Sequence, residues 1–110
     1  MQITFRQNDK EMTEAQLMQA IRLDAPPGWT LFRNNRGFAY NRSGQMMEFG
    51  LYTGASDLIG WSPDGKFVAI EVKTQKGVIT RAQQNFIDRV NDAGGIGVIA
   101  RSLDDLPWKN

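Results

Sequence analysis

Apolar residues along this chain recur at two spacings, and the order of those spacings predicts its elements. Leu17, Met18 and Ile21 repeat at helical intervals behind Thr13, with Gln16 three residues after the threonine and Pro26-Pro27-Gly28 beyond. A helix opened by a capping box and closed by the prolines is expected there. The same signature returns at Thr80 and Gln83, followed by the stripe Phe86, Ile87, Val90 and Ala93 and a Gly94-Gly95 stop, which predicts a second helix. Between the two the period is two. Trp29 to Arg33 reads as a strand with Trp29, Leu31 and Arg33 on one face. Phe38 to Tyr40 and Gln45 to Phe49 read as a hairpin around Asn41-Arg42-Ser43-Gly44. Ala55 to Trp61 and Phe67 to Thr74 make two more strands across Ser62-Pro63-Asp64-Gly65, and Ile96 to Ala100 a short buried one. Residues 1–12 are polar and read as an arm. Ser102 to Leu106 reads as a capped turn, with Asp104 and Asp105 at its start.

The strand from Phe67 breaks its own pattern. Val68, Ile70 and Val72 share one face, while Phe67, Ala69, Glu71 and Lys73 share the other, so two charges sit on an apolar strand face. Burying even paired charges costs several kcal/mol, comparable with the net stability of a small domain. Asp57, on the preceding strand, is placed to bring its carboxylate beside Glu71. Two converging carboxylates with a lysine alongside suit a hard divalent cation such as Mg²⁺, which takes few protein carboxylates and completes its shell with water and phosphate oxygens. A buried structural ion-pair network is the alternative reading of the same three residues.

Asp57 followed by Glu71-Val72-Lys73 resembles the PD-(D/E)xK nuclease signature. The wider string, Gly54-Ala55-Ser56-Asp57-Leu58 through Ile70-Glu71-Val72-Lys73-Thr74 to Thr80, Gln83 and Gly94-Gly95, resembles the VRR-NUC branch of that superfamily. Ser56 stands where the superfamily name has proline, as is common in that branch. The resemblance spans about Glu14 to Leu106. It implies an α/β fold with a restriction-endonuclease-like αβββαβ core, a mixed central sheet flanked by helices, and a hairpin inserted before the strands that carry Asp57 and Glu71. It implies that Asp57, Glu71 and the backbone carbonyl of Val72 hold Mg²⁺ or Mn²⁺, that Lys73 is catalytic, and that Glu14 joins the acidic cluster directly or through water. Gln83 has two readings: a capping residue bonded to the Thr80 backbone, or a site residue beside Lys73, which the resemblance favours.

Composition narrows the chemistry. A single domain over residues 1–110 is expected, large enough for one core. Neither cysteine nor histidine occurs, so Cys/His zinc sites, disulfides, thiol nucleophiles and Ser-His-Asp triads are excluded. No apolar run is long enough to cross a bilayer, and a cytoplasmic protein is expected. The net charge of +1 gives no global pull on nucleic acid. Its distribution is more informative. Between Asp24 and Glu48 no acidic residue occurs, while Arg33, Arg36 and Arg42 mix with Trp29, Phe32, Phe38, Tyr40 and three asparagines. Such a mixture suits phosphate contact and base stacking, though an ordinary hairpin with core aromatics reads the same way. Arg33, Asn34 and Arg36 are the expected phosphate contacts, with Lys76 and Arg81 flanking the second helix start. Met46 and Met47 read as adaptable packing residues.

Together these readings predict a Mg²⁺- or Mn²⁺-dependent endodeoxyribonuclease. The resemblance to small stand-alone VRR-NUC proteins implies a homodimer acting on four-way junctions, with no membrane and no nucleotide cofactor. The alternatives are a nuclease of flaps or single strands, and a DNA-binding module without catalysis.

Overall fold

A computed structural model describes residues 12–35, 37–49 and 54–109. Helix α1 spans Glu14–Asp24 and is followed by strands β1 (Thr30–Arg33), β2 (Gly37–Tyr40), β3 (Met46–Phe49), β4 (Leu58–Trp61) and β5 (Phe67–Val72). Helix α2 (Arg81–Asp92), strand β6 (Ile96–Ala100) and a single 3-10 turn (Leu103–Asp105) complete the order. Both helices open as their sequences dictate. Thr13 Oγ1 accepts from the Gln16 backbone N–H at 3.1 Å, and Gln16 Oε1 accepts from the Thr13 N–H at 3.0 Å. Thr80 and Gln83 repeat the pair at 3.1 and 2.9 Å. Two orphan donors are thus satisfied at each helix start. Helix α2 stops where the N–H groups of Gly94 and Gly95 donate to the carbonyls of Asn91 and Val90.

Strands β1, β4, β5 and β6 form one sheet in that spatial order, while β2 and β3 pair in a sheet of their own. The β1–β4 and β4–β5 pairs are antiparallel and β5–β6 is parallel. A parallel neighbour needs a crossover, and α2 supplies it. This is the αβββαβ order of the restriction-endonuclease-like core, with the β2–β3 hairpin inserted ahead of β4. Alternation along β5 gives each sheet face its helix. Val68, Ile70 and Val72 pack with Leu58 against Leu17 and Ile21 of α1, and Ala69 packs against Phe86, Ile87 and Val90 of α2. Each fully buried aliphatic side chain contributes about 1.5–3 kcal/mol, so this double-faced strand is the anchor of the fold.

The strands that carry Asp57 and Glu71 are shorter than their sequences predict. Strand β4 begins at Leu58 rather than Ala55, and β5 ends at Val72 rather than Thr74. Side chains take over where the ladder stops: Asn34 Nδ2 donates to the Ser56 carbonyl at 3.1 Å and the Val72 N–H goes to Asp57 Oδ2 at 2.9 Å, just beyond a last backbone bond from the Asn34 N–H to the Asp57 carbonyl at 2.8 Å. Ala93, expected on the apolar stripe, is the exposed C-cap of α2. Met46 and Met47 lie exposed rather than packed, because the hairpin that carries them forms a separate sheet. Met12, read as the end of a polar arm, packs against the core; the rest of that arm, residues 1–11, lies outside the described residues. Trp29 packs on the core and edge-on against Trp108, whose indole N–H donates to Asp24 at 2.8 Å.

Gly54 has a φ of +90°, and a Cβ there would lie 2.5 Å from the carbonyl oxygen of Ala82 in α2. Gly44 has a φ of +82° but open space around it. Gly54→Ala is expected to lower stability by about 1–3 kcal/mol in urea titration, and clearly more than Gly44→Ala, which carries only the backbone strain.

Candidate functional site

The two shortened strands leave their polar residues at one end of the sheet. Asp57 lies in the bend before β4, Glu71 is the penultimate residue of β5, and Lys73 follows directly after Val72, the last residue of that strand. Glu71 is 2% exposed on the face covered by α2. Its Oε2 accepts a hydrogen bond from Gln83 Nε2 at 3.1 Å and lies 3.9 Å from Lys73 Nζ. Gln83 makes the expected cap and, with its other end, bonds Glu71. Its Oε1 accepts from the Thr80 N–H, which turns the amide nitrogen toward Glu71. The helix cap thereby fixes which end of the amide faces the carboxylate.

Burial pushes the Glu71 carboxyl up to about 8, and the charge of Asp57 and a hydrogen bond between the two side chains push the same way. Lys73 opposes the rise and Glu14 adds slightly to it. Two carboxyl groups held this close share a proton unless a cation takes its place. Oxygen donors of this kind, two carboxylates and an adjacent strand-end carbonyl at Val72, fit a hard divalent ion that keeps most of its water. Among the described residues, no three acidic side chains gather into a metal-binding group. Glu14, expected on the buried side of α1, is exposed. The helix turns it to the rim of a cleft that Asp57 also borders, and from there its charge reaches Glu71.

Asp57 is flanked by two open clefts. One, of about 390 Å³, is lined by Arg33, Asn34, Ser56, Asp57, Glu71 and Gln83 among others. The second, of about 330 Å³, lies against α1 and includes Glu14, Met18, Gln19, Arg22, Arg33 and Asp57. Arg33 and Asp57 are common to both. Of the residues expected to meet phosphate, Arg33 therefore borders the site on either side. Asn34 lines the first cleft, but its amide N–H donates to the Ser56 carbonyl and holds the Asp57 bend. Lys76 and Arg81 are exposed and line neither cleft. Arg36 lies outside the described residues.

Sequence reasoning missed Arg101. Its Nη1 donates to the carbonyls of Gly77, Thr74 and Gln75 at 2.7, 2.8 and 3.3 Å, and Gln75 Nε2 donates back to the Arg101 carbonyl at 3.1 Å. The turn after Lys73 is thus gathered around one guanidinium. A Cβ on Gly77 would lie 3.3 Å from Lys73 Cδ, so the lysine stem runs against that turn. The only signal was an arginine placed just after the last strand. Ser56, 1% exposed, has a hydroxyl without a hydrogen-bond partner among the described residues.

A family model described as the VRR-NUC domain matches residues 41–103, more than half of the chain. That span contains Asp57, Glu71, Lys73, Lys76, Arg81 and Gln83, whereas Glu14, Arg33 and Asn34 precede it. Comparison with curated proteins and with solved structures returned no match.

The raised Glu71 carboxyl has a measurable sign. Between its ordinary value of 4.5 and about 8, the folded protein holds a proton that the unfolded chain has released. Stability of the protein in chelator should therefore fall as pH rises through that window, by up to about 1.4 kcal/mol per pH unit, and level off above it. Thermal unfolding from about pH 5 to about pH 9 reads this slope, and Glu71→Gln should flatten it.

Proposed function

The chain belongs to the VRR-NUC family, whose domain is of the nuclease type and acts on DNA, and we propose that it is a metal-dependent endonuclease of branched DNA. The observation that carries this reading is the Asp57–Glu71 carboxyl pair, oriented by Gln83 and flanked by Lys73, between two open clefts. Asp57, Glu71 and the Val72 carbonyl would hold Mg²⁺ or Mn²⁺. Such an ion supplies Lewis-acid relief of the charge on a scissile phosphate.

The chain's own residues supply the rest. Gln83 fixes Glu71 by one hydrogen bond while its other end is held at the helix cap, so the carboxylate is aimed before substrate arrives. Lys73 brings an ammonium to the edge of the carboxyl pair, where it either orients the attacking water or stabilises the negative charge that builds on the phosphorane oxygens. Asn34 keeps Asp57 at the strand end through its two hydrogen bonds to the 56–57 backbone. Arg33, at the wall between the clefts, offers a planar guanidinium to the phosphate chain.

Four-way junctions are the proposed substrate, cut by a homodimer that sets one site on each of two strands. The half-exposed Phe32, Trp61 and Phe67 support pairing: Phe32 and Trp61 meet edge to face at 6.2 Å, and Phe67 is the register partner of Trp61. An apolar patch of this kind suits coverage by a second copy.

The test is cleavage of labelled duplexes, flaps and four-way junctions with Mg²⁺ or Mn²⁺, alongside sedimentation with and without a junction. Asp57→Ala, Glu71→Ala and Lys73→Ala should each lower the cleavage rate by about 10²–10⁴-fold while circular dichroism stays that of the folded protein. Undiminished cutting by all three would overturn the site. Preference for flaps would overturn the junction, and a monomer on the junction would overturn the dimer.

A further inference from the structure

The cleft against α1 plays no part in the chemistry assigned to Asp57 and Glu71, yet its lining is unusual. Ala15, Met18, Gln19 and Arg22 follow one another at intervals of three, one and three, so they form one stripe of the helix, beside the Leu17 and Ile21 stripe that faces the core. Opposite them stands Arg33 of β1. Neither Arg22 nor Arg33 forms a salt bridge among the described residues, although Glu14 and Asp57 border the same cleft. Among the described residues, two guanidinium groups without a carboxylate salt bridge therefore border one recess of mixed polar and apolar lining. Its floor is completed by an amide with two N–H donors, a small residue that permits close approach and a flexible thioether.

We propose that this cleft is a phosphate subsite: it takes a phosphodiester next in line along the same DNA strand, held by Arg22 and Gln19 with Arg33. The proposal rests on the reading of the chain as a nuclease and adds to it residues of α1 that no part of that reading used. Continuity of the surface carries the argument. Asp57 and Arg33 line both clefts, so a strand whose scissile phosphate lies at Asp57 and Glu71 leaves the first cleft directly into the second. A polyanion following that path meets Arg22 next. Guanidinium is the group best matched to it, because its planar fork bonds two phosphate oxygens at once. Helix α1 is thus more than a cover for the sheet. Its inner stripe holds the core, and its adjacent stripe receives the substrate backbone.

Binding of a fluorescent oligonucleotide in chelator, where no cleavage intervenes, tests the subsite. Arg22→Ala should weaken binding roughly tenfold, the equivalent of one charge-assisted hydrogen bond. It should also reduce the slope of log affinity against log salt by about one. Arg22→Lys should restore part of the affinity, and Gln19→Ala should weaken binding less than Arg22→Ala. A scan of single neutral methylphosphonates along the oligonucleotide then locates the contact. One position, to one side of the cut, should weaken binding by the wild type several-fold more than it weakens binding by Arg22→Ala, which keeps only Gln19 and Arg33 there.

Unchanged affinity and salt slope in Arg22→Ala would overturn the subsite. So would an equal loss at every methylphosphonate position, which marks diffuse attraction only. Parallel cleavage assays keep the two readings apart. If the wild type cuts DNA but no position couples to Arg22, the subsite alone fails. If coupling is found and no DNA is ever cut, the nuclease reading alone fails.

Discussion

Two carboxyl groups pressed together where neighbouring strands begin and end set the terms for the polar end of this molecule. Asp57 and Glu71 repel each other when both are ionised, and Glu71 is almost fully buried. Such a pair persists because the surroundings over-determine it. Asp57 is bound by the Val72 N–H and its backbone by Asn34, while Glu71 is bound by Gln83. The sheet's apolar anchoring by α1 on one face and α2 on the other supplies the rigidity that makes this crowding tolerable. A proton retained by Glu71, whose carboxyl is pushed up to about 8, relieves the repulsion in the resting arrangement.

The parts of this structure that were readable in the sequence are those fixed by local chemistry. Both capping boxes, the helix stop at Gly94-Gly95 and the two faces of β5 follow from residues within a few positions of one another. What escaped depends on distant partners. Asn34, at the end of β1 and well separated in sequence, takes over where the β4 ladder stops, and no periodicity reveals that. Glu14 sits close in sequence to Leu17 and Met18, which placed it on the buried side, but only the folded position of the helix start sets it at the rim of a cleft. The hairpin methionines looked like packing residues because their sequence could not show that β2 and β3 pair apart from the main sheet.

Gln83 shows why the two readings of one residue need not compete. A capping box uses only the carbonyl oxygen of the glutamine, leaving the nitrogen free to work elsewhere. In a helix whose N-terminus points at the strand ends, that nitrogen arrives at Glu71 as a by-product of the cap. The motif that starts α2 thus also orients the Glu71 carboxyl.

Arg101 ties the turn behind Lys73 to the strand that enters the sheet last. Ribosomal synthesis runs from the N-terminus, so Asp57, Glu71 and Lys73 leave the ribosome well before β6 can join β5 and deliver that guanidinium. The parallel pairing must wait for the crossover helix to fold back. Until then the lysine's supporting turn has no centre to close upon, so a partly made chain carries the acidic residues without the finished geometry around them. Completion of the turn behind Lys73 in this way waits on strand β6, a consequence of topology alone.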